Sequence, residues 1–202
     1  TKLRHHCHNI LVIDDLATAR PLAEALIAGG LPALEVTLRT PVALDAIRIM
    51  AQVPGGVVGA GTLLTAQDVH DAKEAGALFG VSPGATDKLL QACEDQDLPL
   101  LPGVATATEA MALLERGYSV MKFFPAEAAG GAAALKAIGA PIPQISFCPT
   151  GGVTLANAPL YLSLSNTLCV GGSWVAPKAL VNAGDWKEIE ILAREASQLA
   201  TS

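Results

Sequence analysis

A lysine in the middle of an apolar run asks for a chemical purpose. In 119-SVMKFFPAEAAGG-131 the segment from Val120 to Phe124 reads as a buried strand, and Lys122 stands at its centre. Taking an ammonium group out of water costs several kcal/mol unless it is paired or neutralised. Two uses fit such a residue. Desolvation and nearby cations depress a lysine pKa, by as much as ~3–5 when burial is complete, and the free amine can then attack a carbonyl to form a Schiff base. The resulting iminium is an electron sink, so bonds next to the former carbonyl can break heterolytically. The other use is a plain ion pair with a carboxylate.

A carboxylate is available. Side chains alternate across a strand, so in 33-ALEVTLR-39 Leu34, Val36 and Leu38 share one face while Glu35, Thr37 and Arg39 share the other. If the apolar face meets helices, Glu35 points toward the same interior as Lys122 and Phe124, where it could shuttle the protons that Schiff-base chemistry requires. An internal Glu/Arg network, or a solvent-facing strand end, explains the same pattern without chemistry. Two further stretches, 147-FCPTGG-152 and 168-LCVGGS-173, each close a strand with paired glycines beside a hydroxyl residue. Backbone N–H groups exposed by glycine can hold phosphate, and barrel enzymes commonly do so in the loops after strands seven and eight. Either pair alone could be a tight turn.

The elements that must position these groups alternate along the whole chain. Strands are expected near 9–13, 33–39, 57–62, 78–82, 99–104, 119–124, 144–148 and 167–171, each followed by an Ala/Leu-rich helical stretch. Thr40 with Pro41 reads as a helix start, Thr106 with Glu109 as a capping box, and Asp185 with Glu188 likewise. Trp186, Ile189, Ala193, Ala196 and Leu199 fall on one face of a last helix. Eight strand–helix units in 202 residues imply an α/β protein, a (β/α)8 TIM barrel forming a single domain over residues 1–202, with residues 1–9 an atypical N-terminal segment. A doubly wound sheet is the rival, but 59-GAGTLL-64 lacks the third glycine of a dinucleotide fingerprint.

Composition narrows the function classes. Apolar residues make up 51% and charged residues 16%, with net charge −6 and the basic residues scattered singly. That argues against nucleic-acid binding, which wants a basic patch. Residues 49–67 carry no charge but are broken by Pro54 and by glycine and polar residues, a poor membrane span. TKLRHHCHNI has no apolar core, so no signal peptide is expected, and its lack of an initiator Met suggests processing or truncation. Cys7, Cys93, Cys148 and Cys169 form no CxxC pair and read as free thiols of a reducing cytoplasm. In 5-HHCH-8, His6 with His8 or His5 with Cys7 would supply two of the four ligands zinc usually needs, so a surface segment is the simpler reading and no metal is expected.

Taken together, 32-PALEVTLRT-40, 59-GAGT-62, 81-VSPG-84, 102-PGVAT-106, 121-MKFFPAE-127, 148-CPTGG-152 and 169-CVGGSW-174 closely resemble the KDPG/KHG aldolase family. Its members include class I aldolases acting on 2-keto-3-deoxy-6-phosphogluconate (KDPG) in the Entner–Doudoroff pathway. The resemblance covers residues 11 to 200 and implies a (β/α)8 barrel, typically a homotrimer, that needs no metal or cofactor beyond a covalent Schiff base. Residue by residue, it implies Lys122 as the Schiff-base lysine and Glu35 as general acid/base. Arg39 and Thr62 would hold the pyruvyl carboxylate end, Pro83 and Phe124 would wall the pocket, and Thr150 would sit beside the reacting substrate. Gly151, Gly152, Gly171, Gly172 and Ser173 would hold phosphate. The implied partner is a phosphorylated keto acid, in the cytoplasm.

The chain departs from the family at its start. Members usually carry an apolar first strand with a Val-Pro-Val-like sequence, whereas His8-Asn9-Ile10-Leu11 stands here. Since none of the implied catalytic set comes from residues 1 to 10, the expectation is that this departure leaves the catalytic set untouched. Two readings of function remain beside KDPG cleavage. One keeps the chemistry and changes the substrate to 4-hydroxy-2-oxoglutarate or the phosphogalactonate epimer. The other is a barrel that binds a phosphorylated ligand without catalysis, with Lys122 as counter-ion.

Overall fold

The computed structural model describes residues 7–199. Its strands are β1 (His8–Leu11), β2 (Ala33–Thr37), β3 (Val57–Gly61), β4 (Gly80–Val81), β5 (Leu100–Leu101), β6 (Gly103–Val104), β7 (Val120–Phe123), β8 (Ser146–Pro149) and β9 (Gly171–Gly172). All pairings are parallel and fall into two sheets, one ordered β5-β4-β3-β2-β1-β9 and the other β6-β7-β8. Parallel pairing requires crossovers, which the helices supply. They are α1 (Ala19–Ala28), α2 (Ala43–Met50), α3 (Ala66–Glu74), α4 (Asp87–Asp95), α5 (Ala107–Glu115), α6 (Gly131–Gly139), α7 (Ala158–Leu162), α8 (Lys178–Ala183) and α9 (Trp186–Gln198).

This corrects the expectation of eight strands in one closed ladder. The fifth expected strand is cut in two because Pro102 has no N–H to donate. Its neighbours still bond to both sides: Leu101 O accepts from Ser82 N at 3.3 Å, and Pro102 O accepts from Lys122 N at 2.8 Å. Between β8 and β9 the described contacts are the isolated bridges Phe147↔Thr167 and Thr150↔Gly171. The eighth expected strand, 167–171, is thereby shifted to Gly171–Gly172, so the second glycine pair is a strand rather than a turn.

Alternation places the core where the apolar faces predict. Leu34, Val36, Met121 and Phe123 are fully buried in one apolar cluster with Leu22 and Leu26 of α1 and Ile189, Ala193 and Ala196 of α9. Burying each such leucine or isoleucine contributes about 1.5–3 kcal/mol. Of the expected helix starts, Thr106 and Glu109 form the full capping box. Asp185 accepts from Glu188 N, which is half of one. Thr40 does not cap: its hydroxyl donates to Ile13 O at 2.6 Å, and α2 begins later, at Ala43. An unforeseen box opens α3, where Thr65 and Asp68 satisfy each other's N–H groups.

Candidate active site

At the carboxyl ends of these strands lies a cavity of about 340 Å³. Glu35, Thr37 and Arg39 reach it from β2 and its end, Thr62 from the end of β3, and Pro83 from the loop after β4. Lys122 reaches it from β7 and Phe124 from just after that strand, Thr150, Gly151 and Gly152 from the turn after β8, and Gly171, Gly172 and Ser173 from β9 and its end. All twelve residues singled out in the sequence therefore line one space. Ile10, Val12, Thr37 and Val153 line it as well. Thr37 was placed on the right strand face but given no role; its hydroxyl donates to Leu11 O at 3.0 Å and ties β2 to β1.

The chemistry concentrates on one carboxylate. Glu35 is buried, and its Oε1 lies 3.7 Å from Lys122 Nζ, an ion pair without a hydrogen bond. Its Oε2 is 2.6 Å from His8 Nε2. Burial pushes the Glu35 pKa up, but the His8 hydrogen bond, the His8 charge and the Lys122 and Arg39 charges outweigh it, and the net shift is downward. For His8 burial pushes down, and the Glu35 hydrogen bond and charge outweigh it, so the net shift is upward. The signs fix a pH window. Glu35 contributes stability that is present above the ordinary carboxylate pKa and lost as pH falls through its lowered value. The His8 contribution is full below the ordinary imidazole pKa and lost as pH rises through its raised value.

His8 corrects two expectations. The HHCH run is no surface segment where it is described, since Cys7 and His8 are buried; His5 and His6 lie outside the described residues. Cys7 Sγ donates to Ala196 O at 3.4 Å while His8 is spent on Glu35. The departure at the start of the chain therefore reaches the candidate catalytic set.

Local geometry shapes the rest. Lys122 Nζ sits 5.1 Å from the centre of the Phe124 ring, within cation–π range. Thr62 holds φ +64°, a left-handed conformation that is costly for a β-branched residue, about 1–3 kcal/mol. Gly151 and Gly152 carry φ of +97° and +80°, making the first glycine pair the tight turn expected of a loop. At Gly171 the need is space instead, because a Cβ there would strike the Thr150 hydroxyl. Cys148, in register with Lys122, has its pKa lowered by a hydrogen bond with Cys169 against the effect of burial, helped by the His8 and Lys122 charges. The four thiols are all free and buried.

Parallel strands that deliver a buried lysine and carboxylate to one cavity, with the Gly151–Gly152 turn at its rim, define an α/β protein whose cavity sets an amine beside a carboxylate. Residues 3–192 match the family model for KDPG and KHG aldolase. The 2-dehydro-3-deoxy-phosphogluconate aldolase of Pseudoalteromonas atlantica is 51% identical over 188 residues, 93% of this chain and 87% of that one. The KDPG aldolase of Legionella pneumophila, solved with pyruvate captured at low pH as a covalent carbinolamine, superposes with TM-score 0.93 at 46% identity, covering 96% of this chain and 95% of that one. The Zymomonas mobilis 2-keto-3-deoxy-6-phosphogluconate aldolase, solved with 3-phosphoglycerate, does so with TM-score 0.91 at 52% identity, covering 96% and 92%. The chain belongs to the KDPG/KHG aldolase family.

Proposed function

We propose that the chain is a class I aldolase that reversibly cleaves 2-keto-3-deoxy-6-phosphogluconate to pyruvate and glyceraldehyde 3-phosphate. The observation that carries this reading is the Lys122 amine in the cavity, 3.7 Å from a Glu35 oxygen that has no hydrogen-bond partner among the described residues. The amine adds to the C2 ketone, and the carbinolamine loses water to become an iminium. Glu35 accepts the C4 hydroxyl proton, directly or through a water, while the C3–C4 bonding electrons flow into the iminium. Glyceraldehyde 3-phosphate leaves. The enamine that remains is protonated at C3, and water hydrolyses the new iminium to pyruvate and free Lys122.

In this reading Arg39 and Thr62 hold the carboxylate end, and the strained backbone of Thr62 supports a role that glycine could not fill. Pro83 and Phe124 wall the pocket, and Thr150 stands beside the reacting carbons. Gly151, Gly152, Gly171, Gly172 and Ser173 hold the phosphate, whose binding energy serves the reacting centre. No cofactor is assigned beyond the covalent adduct. The two sheets are read as arcs of a (β/α)8 barrel joined through Pro102 and the bridges to residues 167 and 171, one domain over residues 1–202. A cytoplasmic homotrimer is the assembly the family resemblance implies. Among the described residues no helix is long and apolar enough to cross a membrane.

Borohydride reduction with pyruvate, followed by peptide mass analysis, should place a reduced adduct on Lys122. Recovery of that peptide unmodified would end the Schiff-base reading. Parallel assays of KDPG, its phosphogalactonate epimer and 4-hydroxy-2-oxoglutarate rank the substrates, and the phosphate contacts predict KDPG above hydroxyoxoglutarate. Ser173→Ala should raise the KM for KDPG by about 10-fold, the lower end of a hydrogen bond to a charged group, while leaving pyruvate trapping unchanged. An unchanged KM would remove Ser173 from the phosphate site.

A further inference from the structure

We propose that His8 is a positioning residue for Glu35, holding one carboxylate oxygen in place so that the other is presented to Lys122 and substrate. The inference rests on the aldolase reading and adds to it a residue from the segment that departs from the family's apolar first strand. Nε2 of His8 meets Oε2 of Glu35 at 2.6 Å, with both side chains nearly inaccessible, 7% and 1% exposed. The ring cannot swing away easily. It packs against Phe79 with centroids 5.5 Å apart. Its backbone N–H donates to Val170 O at 2.8 Å, and its strand is in register with Gly171. Glu35 is anchored in turn through the pairing of β1 with β2.

The arrangement divides the carboxylate's labour. Oε2 is occupied by the imidazole, and Oε1 faces Nζ. During the proposed cycle Lys122 must surrender its proton to become a nucleophile, so Glu35 loses one neighbouring cation at that step. A second cation on the opposite oxygen keeps the carboxylate ionised throughout, available as a base. The charged and titratable groups around this pair are few. Lys122 of β7 and Cys148 of β8 face His8 together with Glu35, and Arg39 joins His8 and Lys122 around Glu35.

His8→Gln keeps an N–H donor without the charge, and His8→Val removes both. In the full-length protein His8→Val should lower kcat for KDPG by ~10–100-fold, a fraction of what general acid–base catalysis is worth, with KM within about 3-fold of the parent. His8→Gln should recover part of that kcat, yet the acid limb of its kcat/KM profile should move to higher pH, because Glu35 loses a stabilising cation. Parental kcat in His8→Val, or an acid limb unmoved in His8→Gln, overturns the proposal. If His8→Val does not fold, the His8→Gln pH profile alone decides. Pyruvate trapping on parental Lys122 is the separate control: if it fails the aldolase reading falls, and if it succeeds while the His8 variants behave as the parent, only the positioning role falls.

Discussion

Lys122→Met should lower KDPG turnover on the order of 10⁴-fold or more, the scale of loss when a member of a catalytic unit is removed. Methionine matches lysine in length and suits the surroundings, since Lys122 is 6% exposed between the buried Met121 and Phe123. Folding should therefore survive, and melting temperature and circular dichroism check that it does. What disappears is the amine. Without it no iminium forms to accept the C3–C4 electrons, and Glu35 is left with His8 as its close cation, 2.6 Å away. Pyruvate with borohydride should no longer modify the protein, and KDPG should still bind weakly through its carboxylate and phosphate contacts. A folded variant that keeps even a tenth of parental kcat would reduce Lys122 to a counter-ion. The 3.7 Å ion pair to Glu35 would then be its purpose.

The ion pair and the reactive amine are alternatives in the sequence; the structure gives the ion pair at 3.7 Å, a geometry from which the proposed amine chemistry could also start. Strand alternation sufficed to place Glu35, Thr37 and Arg39 on the cavity side of β2 and its extension, with Leu34 and Val36 in the core. The same rule paired Lys122 with Phe124 and sent Met121 and Phe123 to the apolar side. What alternation could not supply was register between strands far apart in sequence. His8 touches Glu35 because β1 aligns Ile10 with Glu35, a fact carried by no local pattern, and four consecutive His and Cys residues drew attention to metal instead. Pro102 was visible, but whether a proline breaks a strand depends on which side its missing N–H would have served. The cap at Thr40 failed for a tertiary reason, as the Ile13 carbonyl 2.6 Å away took its hydroxyl. The left-handed Thr62 runs against local preference and could be seen only in the backbone itself.

Gly61→Ala should cost activity by roughly 10²–10³-fold, within the range assigned to general acid–base catalysis, although Gly61 has no side chain that could react. Gly61 pairs with Thr37 across β2 and β3, and a Cβ built there would collide with the carboxylate, Cγ and Cδ of Glu35. The carboxylate has nowhere nearby to go, because His8 holds one oxygen and Lys122 flanks the other. Either Glu35 swings out and the proton shuttle is lost, or the strands part and the core absorbs an overpacking penalty of about 1–3 kcal/mol. Activity should be measured well below the lowered melting temperature so that the two effects separate. Glu35→Asp withdraws the carboxylate by one methylene and makes room for the new methyl. The double variant should therefore fall short of the summed losses, the signature of two residues contending for one space. Parental kcat/KM in Gly61→Ala, or strict additivity in the double variant, would show that the carboxylate does not depend on the room Gly61 leaves for it.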